Sequence, residues 1–336
     1  RGRGAPAGGG RPVSSPRREV RGLEKRYRQP LALGSRTVHA LNGVDLQLSA
    51  GETLGVVGES GSGKSTLGRL ILRLEPPSGG SVRFEGTDLG SLDRRSLRQA
   101  RRQMQIVFQD PYATLNPRQT VGDAVAEGLV IHRVARGEAL RARVAGLLED
   151  VGLAGQDAAR YPHEFSGGQR QRIAIARAIA LDPAFLVCDE PVASLDVAIQ
   201  SQILTLLQRL QGERGLGCLF IAHDLAVVVR IAHRVAVMYF GRVVETGPAR
   251  AVITAPGHPY SQALVASAPR LHPAAGRPRP VLAGEPPVAT RQPRGCPFFD
   301  RCAHPARDTR CAEELPILRP AGATEVACHH AEARTS

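Results

Sequence analysis

Between about Arg18 and Pro269, short apolar runs alternate with stretches whose apolar positions recur at helical spacing, the pattern of an α/β domain. GETLGVVG (51–58) predicts a buried strand running into a glycine loop, and TLGRLILRL (66–74) predicts the helix after it. AFLVCDE (184–190) predicts a second buried strand, preceded by the nearly all-apolar helix IAIARAIAL (173–181). GCLFIAH (217–223) predicts a third, followed by the helix DLAVVVRIA. From roughly 110 to 165 the pattern is helical without a strong strand, as in EALRARVAGLLEDVGL (138–153). That stretch predicts a helical insertion in the α/β core.

The flanks differ. Residues 1–17 are rich in Gly, Pro and Arg and predict a disordered basic arm. After Pro269 helical periodicity fades, and ten of the 25 prolines fall in the last 66 residues. So Pro-rich a stretch builds little core, and a bound centre is one way to hold it. The expected division is an arm (1–17), a main domain (18–269) with a helical subdomain at about 110–165, and an extension (270–336). The chain starts with Arg1 instead of a methionine, which leaves a longer or fused protein open.

Composition narrows the function. A chain of 336 residues that is 42% hydrophobic can bury a large core, which excludes wholesale disorder. The net charge of +13 comes from arginine, since Lys25 and Lys64 are the only lysines; Lys64 therefore stands out. A basic chain suits nucleic acid or an anionic membrane surface. Aromatic residues at 4% and the absence of tryptophan argue against a base-stacking platform. No apolar run reaches the roughly 18 residues of a membrane span, and the start carries no secretory signal. The chain is read as cytosolic, where disulfides are not expected.

GESGSGKS (58–65) fits G-x-x-x-x-G-K-[ST] directly between a predicted strand and helix. Gly58, Gly61 and Gly63 let the backbone curl, so that N–H groups across Glu59, Ser60 and Ser62 point at phosphate oxygens. Lys64 can reach the β and γ phosphates, Ser65 can ligate Mg²⁺, and Thr66 lies in a helix N-terminus that favours anions. In LVCDE (186–190), Asp189 can hold the Mg²⁺ shell and Glu190 can polarise an attacking water. Cys188 within it reads as a small buried hydrophobe. EFSGGQRQR (164–172) places Ser166, Gly167, Gly168 and Gln169 at the start of an apolar helix, with Ser166 as N-cap. This is a second anion-binding element.

With these motifs in this order the chain resembles the ATP-binding-cassette (ABC) ATPases, from about Val20 to Pro269. The resemblance implies an α/β P-loop NTPase core of the ABC-cassette type with a helical subdomain. It also implies roles. Gln109, in VFQDPYATLNPR (107–118), matches the glutamine that contacts Mg²⁺ and the attacking water. His223 matches the switch histidine on the γ-phosphate, and Asp196 in SLD (194–196) matches the loop that crosses a dimer interface. Tyr27 matches the aromatic that stacks on adenine, beside an apparent insertion, RQPLALGSRT. Two cassettes would pair head to tail, each ATP lying between the glycine loop of one and the SGGQ element of the other. Closure would be coupled to membrane domains through a groove beside Gln109.

FQDPYATLNPR, PVASLDVAIQSQIL (191–204) and MYFGRVVETG…HPYSQALVASAP (238–269) resemble the oligopeptide and dipeptide importer ATPases. LNPR points to the second, or F-type, of their two ATPase subunits. This implies ATP hydrolysis coupled to di- and oligopeptide uptake at the cytoplasmic face of the membrane. The implied partners are a homologous second ATPase, two membrane permeases and, indirectly, an external peptide-binding protein. Nickel or glutathione import within the same subfamily is the alternative, although nickel-type relatives usually end soon after the HPY-like sequence. A soluble ABC protein of DNA repair or translation generally carries two cassettes and dedicated insertions; neither is seen, and no nucleic-acid partner is expected.

Four of the six cysteines, Cys296, Cys302, Cys311 and Cys328, lie in the extension. Four thiolates can bind zinc or an iron–sulfur cluster. Their spacings of five, eight and sixteen residues lack the short pairs of structural zinc sites, and spacing alone does not choose. His304, His329 and His330 are available as zinc ligands. The resemblance implies a [4Fe–4S] cluster on the four cysteines, with Arg294, Arg301, Arg307 and Arg310 offsetting its charge. As a staple apart from the nucleotide core, it predicts that cysteine replacement leaves nucleotide affinity nearly unchanged.

Overall fold

Three runs of five residues, β3 (Thr53–Val57), β7 (Phe185–Asp189) and β8 (Gly217–Ile221), are buried at every position, as strands covered on both faces must be. They belong to a computed structural model that describes residues 18–30, 35–267, 290 and 292–331 of the chain. The basic arm, residues 268–289 of the Pro-rich stretch and the boundary expected at 269/270 lie outside the described residues, as does part of RQPLALGSRT.

The chain opens with a long hairpin, β1 (Arg18–Pro30) and β2 (Ser35–Leu48), which pairs through β1 with β4 (Gly79–Phe84); β4 pairs with β5 (Thr87–Asp88). This antiparallel four-stranded sheet covers α1 (Lys64–Ile71), whose Leu67, Leu70 and Ile71 share one core with Val20, Leu46 and Val82. The second sheet has eight strands in the order β11-β12-β10-β9-β3-β8-β7-β6. After α2 (Arg94–Arg102) comes its edge strand β6 (Met104–Val107), and β6, β7, β8, β3 and β9 (Arg234–Tyr239) run parallel. Between β6 and β7 lie α3 (Pro111–Thr114), α4 (Val121–Ile131), α5 (Gly137–Asp150) and α6 (Gly167–Ile179). No strand falls within 110–165, and α4, α5 and α6 pack around Val125, Leu148 and Ile175. Helices α7 (Val197–Arg214) and α8 (Leu225–Val229) flank β8.

The C-terminal part does not stand apart. Strand β10 (Arg242–Pro248) is followed by α9 (Ala249–Thr254) and α10 (Pro259–Ser267), then by α11 (Thr309–Glu313), β11 (Arg319–Ala321) and β12 (Thr324–Val326). β12 pairs antiparallel with β10, Glu245 opposite Val326, so the extension prolongs the main sheet. Glu245 is fully buried. Its carboxylate accepts from the N–H groups of Gly257 (2.8 Å) and His258 (2.9 Å) and from the Thr324 hydroxyl (3.3 Å). It thereby ties β10, the HPY turn and β12 together, satisfying a buried acid with three donors from two other segments. Burial holds His258 neutral, its pKa lowered to about 3, and its Nδ1 accepts from the Tyr260 N–H. Phe298 is 2% exposed and packs edge-on against Tyr239, with centroids 5.3 Å apart, and 5.4 Å from Tyr260. The expectation of a separate staple is therefore corrected: three-residue strands are too short to read as strands in sequence, yet they reach the main sheet.

Phe298→Ala removes a ring from this aromatic cluster, and a cost of about 3–5 kcal/mol is expected. Denaturant or thermal unfolding of the full chain measures it; an unchanged midpoint would show that the extension is not docked.

Candidate nucleotide and hydrolysis site

Parallel pairing sets β3, β8, β7 and β6 side by side, and the segments leaving their carboxyl ends share one edge of the sheet, where α/β sheets bind ligands. β3 delivers the glycine loop, β8 delivers His223, β7 delivers Asp189 and Glu190, and β6 leads to Gln109.

The loop's curl depends on glycine. Gly58 has φ 153°, and a Cβ there would sit 2.2 Å from the Met238 carbonyl oxygen; at Gly63, φ 100°, it would meet the Ala40 carbonyl oxygen at 2.5 Å. Inside the loop the Ser62 hydroxyl is buried without a hydrogen-bond partner, an orphan that a bound oxyanion would satisfy. Lys64 is buried, and its ammonium donates to the Gly58 (2.7 Å) and Glu59 (2.9 Å) carbonyls. Burial lowers its pKa, opposed by the carboxylates of Glu190, Asp189 and Glu59. Ser65 Oγ donates to Asp189 Oδ1 at 2.9 Å, and burial raises the Asp189 pKa against that bond. Hydroxyl and carboxylate are the hard oxygen donors Mg²⁺ takes, and the pair fits that ion.

Glu190 stands next. Its φ of 48° is left-handed, an uncommon state for glutamate and one that clusters at active sites. Gln109 Nε2 donates to Glu190 Oε2 at 3.0 Å, and His223 Nδ1 lies 3.5 Å from the same oxygen. Residues 109, 190 and 223 thus meet at one carboxylate. Such a carboxylate, beside a cation site, can orient and polarise a water.

Tyr27 lies on β1, its hydroxyl bonded to Glu75 (2.7 Å) and in reach of Thr66, with the Lys25 ammonium 4.9 Å from its ring centroid. The other motif residues lie elsewhere. Ser166 and Gln169 form a reciprocal cap at the start of α6: Gln169 N–H donates to Ser166 Oγ (3.3 Å), and Ser166 N–H donates to Gln169 Oε1 (2.9 Å). Ser166 and Gly167 are exposed, whereas Gly168 is buried against Ile199. Asp196 is exposed and caps α7, accepting from the Ile199 N–H at 2.9 Å. No described contact joins these groups to the glycine loop of the same chain.

Two residues at the loop escaped the sequence reading. Tyr260 Oη accepts from the Glu59 N–H at 2.8 Å. Arg301 grips the Glu59 carboxylate with both terminal nitrogens, at 2.7 and 2.9 Å. The HPY sequence was a visible signal for Tyr260; for Arg301 its cysteine neighbours pointed the wrong way. Arg301 is engaged with Glu59 and Arg310 with Glu314, so neither is free to offset a cluster charge. Arg307 and the four tail cysteines do line one small cavity with His258. Burial raises the thiol pKa of Cys296 to about 11 and those of Cys311 and Cys328 in the same direction. Among the described residues only Asp308, Cys311 and His330 bring three ligand atoms within 4.8 Å of one another. The four cysteines share the cavity without forming such a triad among themselves. Of the histidines expected for zinc, His329 is bonded to the Glu314 carbonyl and His304 Nδ1 accepts from the Ala306 N–H.

Comparison with known proteins bears on this geometry. The ABC transporter family profile matches residues 41–193, and the oligopeptide/dipeptide transporter C-terminal region matches 244–311. A di/tripeptide transport ATP-binding protein of Pseudomonas aeruginosa is 46% identical over 315 residues, covering 93% of this chain and 97% of the relative. This chain belongs to the ABC transporter ATP-binding proteins. A putative peptide import ATP-binding protein of Brucella abortus is 50% identical over 297 residues, 88% of each chain. A glutathione import ATP-binding protein of Salmonella paratyphi A is 53% identical over 269 residues, 79% of this chain but 43% of that one. Among solved structures, an ATP-binding cassette in a dimeric, post-hydrolysis state with ADP and Pi matches with TM-score 0.63 and 30% identity, over 69% of this chain and 99% of that one. The fold is that of an ABC cassette, and the chain is an ABC ATPase.

Affinity for Mg²⁺–ATP is expected to fall on both sides of neutrality. Burial raises the Asp189 pKa, so the acid limb should begin above the pH of an ordinary aspartate, about 3.9. Burial lowers the Lys64 pKa, so the alkaline limb should begin below about 10.4. Equilibrium binding of a fluorescent ATP analogue across pH checks this, and limbs at the ordinary values would contradict the assigned charges.

Proposed function

We propose that this ATPase powers uptake of di- and oligopeptides through a membrane transporter, from the cytoplasmic face. The observation that carries the hydrolytic reading is the meeting of Gln109 and His223 on the Glu190 carboxylate, beside the Ser65–Asp189 pair. ATP phosphates would lie in the loop 58–66 with Lys64 on the β and γ groups, and Tyr27, beside Thr66, would offer its ring to adenine. Mg²⁺ would be held by Ser65, Asp189 and Gln109; it supplies neutralising charge on the phosphates. Glu190 would hold the attacking water, steadied by Gln109, while His223 reports the γ-phosphate.

The exposed SGGQ element needs a nucleotide that its own loop does not bring to it. A second, homologous cassette in head-to-tail pairing would supply that nucleotide, with Asp196 at the seam. A cavity of about 440 Å³ lined by Gln105, Phe108, Thr114, Glu127, Ile131 and Leu181 is the groove in which one of two permeases would dock. No helix among the described residues is long and apolar enough to cross a membrane, so attachment would come through those partners. Peptide as the substrate class rests on the two relatives named for peptide transport and on the matched C-terminal region.

The convergence of four cysteines on one cavity supports a [4Fe–4S] cluster on Cys296, Cys302, Cys311 and Cys328. Such a group would cross-link the segments around the turn 299–301, α11 and β12. Raised thiol pKa values mean that loading must release protons, so metal uptake should strengthen as pH rises.

Two measurements test these readings. In vesicles holding the assembled transporter, Glu190→Gln should still bind ATP while phosphate release and labelled di- or tripeptide uptake nearly cease. Turnover within a few-fold of the parent would remove Glu190 from its role, and uptake of glutathione or nickel in place of peptide would transfer the substrate to the alternative. Anaerobic protein should carry about four iron and four sulfide per chain, lost in Cys302→Ser and Cys311→Ser. Stoichiometric zinc without iron would remove the cluster assignment in favour of zinc.

A further inference from the structure

We propose that Arg301 is a positioning residue for nucleotide binding: it cancels the single negative charge of the glycine loop and fixes the loop's second residue. The inference rests on the reading of residues 58–66 as the phosphate site.

Every polar handle of Glu59 is engaged. Its carboxylate takes both terminal nitrogens of Arg301, its N–H donates to Tyr260 Oη, and its carbonyl accepts from Lys64. Two of those three partners come from the C-terminal part of the chain, over 200 positions away. The Arg301 side chain is only 6% exposed and that of Glu59 23%, so the pair is shielded from the water that weakens surface ion pairs. Arg301 Nη1 also lies 3.4 Å from Tyr239 Oη, and Phe298, three residues earlier, is wedged among Tyr239, Tyr260 and His258. The guanidinium is therefore delivered by a packed turn rather than by a free surface chain.

The charge matters because of where it lies. Glu59 is the only acidic residue in GESGSGKS, and its carboxylate already acts on the Lys64 ammonium. A polyphosphate entering this loop brings several negative charges, which an unpaired carboxylate would oppose. Bidentate pairing removes that opposition and holds the side chain away by geometry that a lysine cannot reproduce. Arg301 touches no substrate in this scheme; it acts through Glu59.

Equilibrium binding of fluorescent ATP and ADP analogues to the full chain, with Mg²⁺, tests this. Arg301→Ala should weaken ATP binding about tenfold or more, and ADP binding less, because fewer phosphate charges meet the bared carboxylate. Adding Glu59→Gln to Arg301→Ala should recover most of that loss although the guanidinium is still missing. Arg301→Lys should fall in between, and it carries the test should the alanine variant not fold. If the double variant binds no better than Arg301→Ala, or if ATP and ADP weaken equally, Arg301 is a structural strut only and the proposal is overturned. Lys64→Ala separates the two readings. If it binds ATP normally, the phosphate site itself is misassigned; if it loses ATP while Arg301→Ala and Arg301→Lys keep it, only the role of Arg301 falls.

Discussion

Everything chemical in this protein depends on four neighbouring strands running the same way. Because β3, β8, β7 and β6 are parallel and adjacent, residues as distant in sequence as 58, 109, 189 and 223 emerge at one edge. A single antiparallel strand among them would send its residue to the opposite edge. The constraint also explains composition. Strands buried on both faces read as LGVV, FLVC and CLFI, with the acidic and basic groups at their exits. The polar residues crowd there because nothing inside the sheet can satisfy them.

That crowding costs stability locally. Lys64 and Asp189 are buried charges whose pKa values burial pushes toward neutrality, and Glu190 holds a left-handed backbone. Apart from the Ser62 hydroxyl, these groups partner one another. Lys64 occupies loop carbonyls, Ser65 occupies Asp189, and Gln109 and His223 occupy Glu190. A phosphate ligand would have to displace these contacts with better ones, which favours an ion of high charge and fixed shape over a small anion. The Gln109 strand exit is also tied to α6. Arg170 stacks on Tyr112 at 3.7 Å, and Arg177 donates to the Thr114 carbonyl at 2.7 Å. The segment after Gln109 is thus packed on the helix that the SGGQ element begins.

Three of the five parallel strands, β3, β7 and β8, were legible because each is an unbroken apolar run; β6 and β9 were not read. Nor was the antiparallel sheet. β1 mixes buried Val20 and Leu23 with bulges that break its alternation after Val20 and again after Lys25. β11 and β12, three residues each, carry no period at all. Within the site, the glycine loop could be read from local chemistry alone. The meeting of Gln109 with Glu190, 81 positions apart, came only through family resemblance. Arg301 was misread for a physical reason: sequence proximity to Cys302 suggested a shared charge, whereas the turn 299–301 directs its side chain to Glu59.

The same turn joins two parts of the molecule that sequence treats as independent. Arg301 reaches Glu59 of the glycine loop and Phe298 packs on Tyr260, which bonds the same residue, while Cys296 and Cys302, on either side, line a cavity with Phe298, Cys311 and Cys328. Cys296 N–H donates to the Cys311 carbonyl at 2.8 Å, so the turn is also braced by backbone from α11. The turn is thus shared between the cysteine cavity and, through Arg301, Glu59. Coupling of this kind needs no moving domain. It needs only that a seven-residue segment be held at both ends by one chemistry while its middle serves another. A P-loop bounded by glycines gains rigidity from outside itself, and here the extension is placed to supply it.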